Sequence, residues 1–183
     1  MKPRSPEELD DALPWIRQSP KDKGVLRMIV VRPGTNERSV LPEVEISAAG
    51  GGHGGCWANG CWKSLPDGRP HPDVQIAMMN VRVIEAVAGP EERWPLAGDN
   101  LFVDLDLGSE NLAPGQRLEI GSAVIEITDE PHLGCRKFQN RFGVDALRFV
   151  NSPLGKQLHL RGIYAKVVTE GMIRAGDVVK KID

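Results

Sequence analysis

Leu101, Val103, Leu105 and Leu107 recur two residues apart, with Asp104 and Asp106 between them, and form the clearest pattern in the chain: a strand with one apolar face. Residues 158–168 alternate in the same way. Residues 117–120 and 123–128 flank Gly121-Ser122, a two-residue link that predicts a hairpin. Residues 25–32 are rich in β-branched and apolar side chains and end at the turn signal Pro33-Gly34-Thr35-Asn36. From there 38–41 can return as a partner strand and 44–47 as another, while Gly176-Asp177 turns into a last strand over 178–182.

Helical spacing is rarer. Ser5-Pro6-Glu7-Glu8 has the form of a capping box ahead of Leu9, Leu13 and Ile16, and Pro14 limits it to a short helix or two broken turns that pack on the barrel edge. Residues 73–87 read as strand running into helix. Residues 137–150 carry Phe138 and Phe142 four apart, then Leu147 and Val150, with Gly143 dividing them into two pieces. Residues 48–72 follow neither period, and an irregular stretch of that length is usually functional or mobile. Many short strands, frequent turns and few helices predict a mainly β domain, a barrel or curled sheet with short helices at its rim. Residues 1–22 form an N-terminal extension and 23–183 a single domain.

Composition narrows the function classes. The 183 residues carry 23 Lys and Arg against 25 Asp and Glu, a net charge of −2, which gives no whole-chain reason to expect nucleic acid or an anionic membrane. No apolar stretch is long enough to span a bilayer, and the basic start lacks the apolar core of a secretory signal, so a cytoplasmic location is expected. Three cysteines, Cys56, Cys61 and Cys135, suit thiol chemistry or burial better than a disulfide framework.

The densest chemistry lies in Pro131-His132-Leu133-Gly134-Cys135-Arg136-Lys137-Phe138. Cys135 follows a glycine, precedes two cations and stands at the start of a helical turn. Each of these features favours the thiolate, which can ligate a soft metal, accept sulfur or attack an electrophile. A small buried apolar cysteine is the competing reading. Taken singly, His132 reads as a structural histidine, and Arg141 and Arg161 as surface residues or as members of an anion pocket. His53, Cys56, Cys61 and His71 have spacings outside the common zinc forms, and zinc is not expected. The glycine run 50–55 lacks the Gly-Lys-Ser/Thr ending of a phosphate loop.

An ordered series of motifs resembles the MOSC domain family, named for the C-terminal domain of molybdenum cofactor sulfurase. It runs through Ala97-Gly98-Asp99-Asn100-Leu101, Leu112 with Pro114-Gly115, Leu118-x-Ile120-Gly121, and Val124-Ile125-Glu126-Ile127-Thr128. It continues in Pro131-His132-x-Gly134-Cys135-x-Lys137-Phe138 with Arg141-Phe142-Gly143, then Arg161-Gly162-Ile163-Tyr164-Ala165 and Gly171-x-Ile173-x-x-Gly176-Asp177. The resemblance implies a barrel of the short, stand-alone MOSC type and a single functional cysteine at Cys135. It implies a molybdenum cofactor (molybdopterin) with Cys135 on the metal, and Lys137, Arg141, Arg161, His132 and Asn100 as cofactor-binding residues. Some relatives reduce N-hydroxylated compounds with electrons from a partner protein. Others handle cofactor sulfur beside a pyridoxal-phosphate cysteine desulfurase, a domain for which this chain is too short, so no PLP is expected in it. A molybdenum-dependent reductase and a sulfur or cofactor carrier without turnover therefore both stay open. One departure stands out: no acidic residue precedes Cys56-Trp57, where short relatives have one.

Overall fold

In the computed structural model, which describes residues 2–183, the chain forms eleven strands and six α-helices. The strands are β1 (Gly24–Val31), β2 (Ser39–Leu41), β3 (Glu43–Ser47), β4 (Gly51–Gly52), β5 (Ile76–Asn80), β6 (Leu101–Asp104), β7 (Arg117–Ile120), β8 (Ala123–Ile127), β9 (Ile163–Thr169), β10 (Gly171–Arg174) and β11 (Val178–Ile182). The helices are α1 (Pro6–Asp11), α2 (Leu13–Ile16), α3 (Val81–Ala88), α4 (Arg136–Phe142), α5 (Val144–Asn151) and α6 (Pro153–Gln157).

Seven strands close a mixed barrel in the order β1-β6-β5-β9-β8-β7-β11, and Gly24 and Val25 of β1 pair with Val179 and Val178 of β11 to complete it. Closure removes the sheet edges that would otherwise offer unpaired backbone. The β5–β6 pair is parallel, and its connection runs through α3 and a 3-10 turn at Glu91–Ala97, because a parallel pair needs a long crossover. β2 extends the sheet beside β1, and β10, β3 and β4 make a separate three-stranded sheet.

The alternation seen in the sequence resolves into two cores. Leu101, Val103, Leu105 and Leu107 all point into the barrel with Ile29, Met78, Leu118 and Ile125. Met28, Val30, Met79 and Phe102 point outward instead, and a helical layer covers them with Leu9, Ile84, Phe138 and Phe142. β5 and the second half of β1 are buried on both faces, which is why their sequences read as apolar runs. Helices of four to eight residues cannot stand alone in water. Burial of their apolar faces, roughly 1.5–3 kcal/mol for each fully buried Leu, Ile or Phe, holds them to the barrel. The N-terminal segment joins this layer through Leu9 and Ile16, after a complete capping box between Ser5 and Glu8. In all, 30% of the chain is strand and 28% helix.

Candidate functional site

Cys135 sits where the barrel hands over to the helical layer. It is the N-cap of α4, in extended conformation, and its side chain is exposed. The segment before it is strapped down: the Gly134 N–H donates to Asn151 Oδ1 at 2.8 Å, and Asn151 Nδ2 donates to the Gly134 carbonyl at 3.0 Å. A Cβ on Gly134 would come within 2.8 Å of the Leu147 side chain and 3.0 Å of the Val150 side chain, so glycine lets this segment lie close to α5 without displacing them. Phe138 and Phe142, with ring centroids 4.8 Å apart and both buried, fix α4 from the other side. Partial burial pushes the Cys135 thiol up, but the backbone amides of Phe138 and Lys137 and the charges of Arg161 and Lys137 outweigh it and bring the pKa below that of an ordinary cysteine. The two amides act as facing dipoles, since neither closes a hydrogen bond to the sulfur.

Behind the cysteine lies a buried ion pair. Arg161 Nη1 donates to both oxygens of Asp99, at 2.9 and 2.8 Å, and its Nη2 to the Ala97 carbonyl at 3.1 Å. The guanidinium lies 5.0 Å from the centre of the Phe138 ring, which ties the pair to α4. His132 packs against the pair, with Nδ1 3.7 Å from Asp99 Oδ1, and against Tyr164, with ring centroids 4.2 Å apart. Burial, then the charges of Arg161 and Arg32, hold the His132 pKa well below the usual range, so the imidazole is neutral at pH 7. Burial likewise raises the Tyr164 phenol, which stays protonated.

Further arginines complete the site. Burial, then repulsion from Arg141 and Arg32, lowers the pKa of Arg38, which brings these three cations into one electrostatic neighbourhood. Arg141 is half-buried, with Nη1 donating to the Leu96 carbonyl at 2.7 Å, and Lys137 is exposed beside Cys135. Arg38 Nε, Arg161 Nε, Trp57 Nε1 and His132 Nδ1 are all buried without a hydrogen-bond partner. Each such nitrogen calls for a partner, because leaving a buried donor or acceptor unpaired costs about 1–3 kcal/mol. Crowded cations and unspent donors make a site for an anion with several acceptor atoms.

The MOSC domain model matches residues 73–180, from the turn before β5 to β11. The chain belongs to the MOSC domain family. Among solved structures, it is similar to the YuaD protein from Bacillus subtilis, at 18% identity and a TM-score of 0.64 over 87% of this chain and 95% of that one. YiiM from Geobacillus stearothermophilus is similar at 16% identity and a TM-score of 0.55, over 88% and 73%. YiiM from Escherichia coli follows at 16% identity and 0.51, over 87% and 70%. At these identities the likeness is one of fold. No curated protein sequence matches the chain.

In this MOSC domain the residues named from sequence separate by environment. Cys135, Lys137, Arg161 and His132 come together, and Arg141 is linked to them through Arg38 and Arg32, the latter's charge bearing on both Arg38 and His132. Asn100, by contrast, uses its side-chain amide between strands: Oδ1 accepts from the Ala77 N–H at 3.0 Å and Nδ2 donates to the Val30 carbonyl at 3.2 Å. It thereby fixes the backbone next to Asp99. Arg32, Arg38, Asp99 and Tyr164 are site residues that the sequence reading does not name as such; Asp99 and Tyr164 stand within its motifs, and Arg32 and Arg38 flank the turn after β1. The glycine-rich loop also reaches the site, since the Cys56 N–H donates to the Arg32 carbonyl at 2.8 Å and Trp57 carries one of the unpartnered nitrogens. Cys61 Sγ contacts the Lys63 carbonyl and His71 Nδ1 accepts from the Asp73 N–H, so both are engaged within their own segment. Among the described residues, no three His, Cys, Asp or Glu side chains cluster to hold a metal ion, and none of the helices is long and apolar enough to cross a membrane.

Proposed function

We propose that this MOSC protein holds a molybdenum cofactor and supports the reduction of N-hydroxylated or similar small molecules. The observation that carries the reading is an exposed, acidified thiol beside buried nitrogens that have no partner within the chain. The residues present fit the group. Cys135, as thiolate, is the soft ligand a molybdenum centre takes. Arg32, Arg38, Arg141 and Lys137 carry the charge to bind the pterin phosphate, and Arg38 Nε and Trp57 Nε1 have N–H groups to spare. When bound, the cofactor supplies a redox-active metal with a position open to a substrate oxygen.

The chain's own part is binding and positioning. Arg161 has both Nη atoms tied up by Asp99 and Ala97, so it offers Nε and a fixed positive field. Against the partial burial that raises the thiol, that field adds to the stronger effect of the Phe138 and Lys137 amides in favouring the ligating form of Cys135. Neutral His132 and protonated Tyr164 stack as the wall behind the ion pair. Reduction consumes electrons, which we assign to an electron-donor protein.

A second reading rests on the exposure of Cys135, which leaves its sulfur open to a cysteine desulfurase. The protein would then carry a persulfide to a partner without turnover. Purification from a host that makes molybdenum cofactor separates the two, with Arg38→Ala as the probe of the phosphate cluster. Pterin retained by the unmodified protein and lost from Arg38→Ala supports the first reading. Cofactor absent from both, with a persulfide mass on Cys135 after exposure to a desulfurase and cysteine, supports the second.

A further inference from the structure

Trp62 is the most exposed tryptophan of the protein, at 66%, yet it does not sit on a free loop. The next residue, Lys63, pairs with Glu130 on the segment that leads to Cys135, and Cys61 Sγ contacts the Lys63 carbonyl. That carbonyl also accepts from the His71 N–H at 3.0 Å, and the Leu65 N–H donates to the Arg69 carbonyl at 2.8 Å, which closes a small two-stranded turn. A tethered indole that forgoes burial presents a contact surface.

Tyr164 lies beside it. Its ring, half-buried on β9, packs against His132, and the Trp62 indole N–H is directed at its phenol oxygen. An indole N–H only donates, so it occupies a lone pair and leaves the phenol's own proton free. Among the described residues nothing accepts that proton. Burial keeps the phenol protonated, and the charges of Arg161 and Arg32 bear on it. Arg161 bears on Cys135 as well, so the hydroxyl and the thiol share one neighbourhood.

The rings of Trp62 and Tyr164 stand 6.4 Å apart at their centroids, with 41° between their planes. A flat ligand between them would need roughly 7 Å, two contacts of about 3.5 Å each. It stacks instead on the open face of the indole, and a polar group at its edge reaches the Tyr164 hydroxyl beside the indole N–H.

We propose that Trp62 and Tyr164 are specificity-determining residues of the Cys135 site: the open indole face takes a planar, conjugated substrate body, and the Tyr164 hydroxyl donates to the oxygen carried on the substrate nitrogen. The inference rests on the reductase reading for what the substrate is, but the chain itself makes both contacts, so they are read on metal-free protein. A protein that takes up no molybdenum removes the reductase reading and leaves this subsite to stand or fall on its own titrations.

The probe is benzohydroxamic acid, titrated at pH 7 into metal-free 15N-labelled protein, with acetohydroxamic acid as the control that keeps the N–OH group and lacks the ring. The Trp62 indole N–H signal, identified by its absence from Trp62→Phe, should move with a dissociation constant of about 1 mM, as expected of so small a ligand. Acetohydroxamic acid should bind about tenfold more weakly, and Trp62→Ala should bring benzohydroxamic acid down to the same affinity, with most of the loss recovered in Trp62→Phe. Tyr164→Phe, which keeps the ring against His132, should weaken benzohydroxamic acid about fivefold. The unperturbed remainder of each variant's spectrum verifies its fold. An indole signal unmoved at about 10 mM probe, acetohydroxamic acid binding as tightly, or unchanged affinity in Trp62→Ala or Tyr164→Phe would overturn the proposal.

Discussion

Asp99 receives both of its hydrogen bonds from a single nitrogen, Nη1 of Arg161, and it does so with no solvent exposure. The pair joins the turn before β6 to the turn before β9, and Phe138 beneath the guanidinium carries its position to the start of α4. The thiol of Cys135 and the charge that helps ionise it are therefore built on one buried unit. A buried pair of this kind gives positioning more than stability, because desolvation offsets much of the attraction.

Removing one partner alone is costly. Asp99→Ala leaves the Arg161 charge buried and should destabilise the fold by about 3–5 kcal/mol in urea unfolding. Asp99→Ala combined with Arg161→Met removes both charges and should recover much of that loss. A double variant no more stable than the single one would show that the pair is not the source of the effect.

The thiol itself can be read directly. In a Cys56→Ser, Cys61→Ser background, alkylation of Cys135 by iodoacetamide follows the thiolate, so its rate rises with pH through the thiol's pKa. The midpoint should lie below that of an ordinary cysteine, and Lys137→Met should move it up, because the lysine charge favours the thiolate. A midpoint at the ordinary position, unmoved by Lys137→Met, would remove the electrostatic argument for ligation.

The sequence revealed the elements whose signals are local. Alternation at Leu101 to Leu107 identified the barrel face, Phe138 and Phe142 the helix, and the position of Cys135 ahead of that helix its exposure to the amide dipoles. What it concealed depends on long-range closure. Arg32 and Arg38 stand about a hundred residues from Cys135, and nothing in their own neighbourhood announces that the barrel brings them to Arg141. Asn100 carries a family motif, yet its amide is committed to Ala77 and Val30, a role visible only once β1 and β5 are placed around it. Phe102 gave no hint that the outside of the barrel is also a core, because one residue in an alternating strand does not tell solvent from a covering helix.

His132 sets a pH dependence. Its pKa in the folded protein lies well below that of the unfolded chain, so the unfolded state binds the extra proton as the pH drops. The neutral imidazole leaves stability unaffected above about pH 6.5; below it stability falls, by up to about 1.4 kcal/mol per pH unit, until the folded-state pKa is reached. His132→Phe keeps a ring against Tyr164 and removes this contribution. Urea midpoints from pH 7.5 to 5 should fall more steeply for the unmodified protein than for His132→Phe. Parallel curves would mean that His132 is not buried in neutral form.

The most direct test of the cofactor site is the molybdenum and pterin content of the protein purified from a cofactor-producing host, set against Cys135→Ala. Cys135 is exposed, and alanine at an N-cap costs on the order of 1 kcal/mol at most, so the variant should remain folded. Molybdenum and pterin near one per chain in the unmodified protein, with the metal lost from Cys135→Ala, is the expected result. Equal molybdenum in both proteins would contradict ligation by Cys135, and none in either would contradict the cofactor site itself.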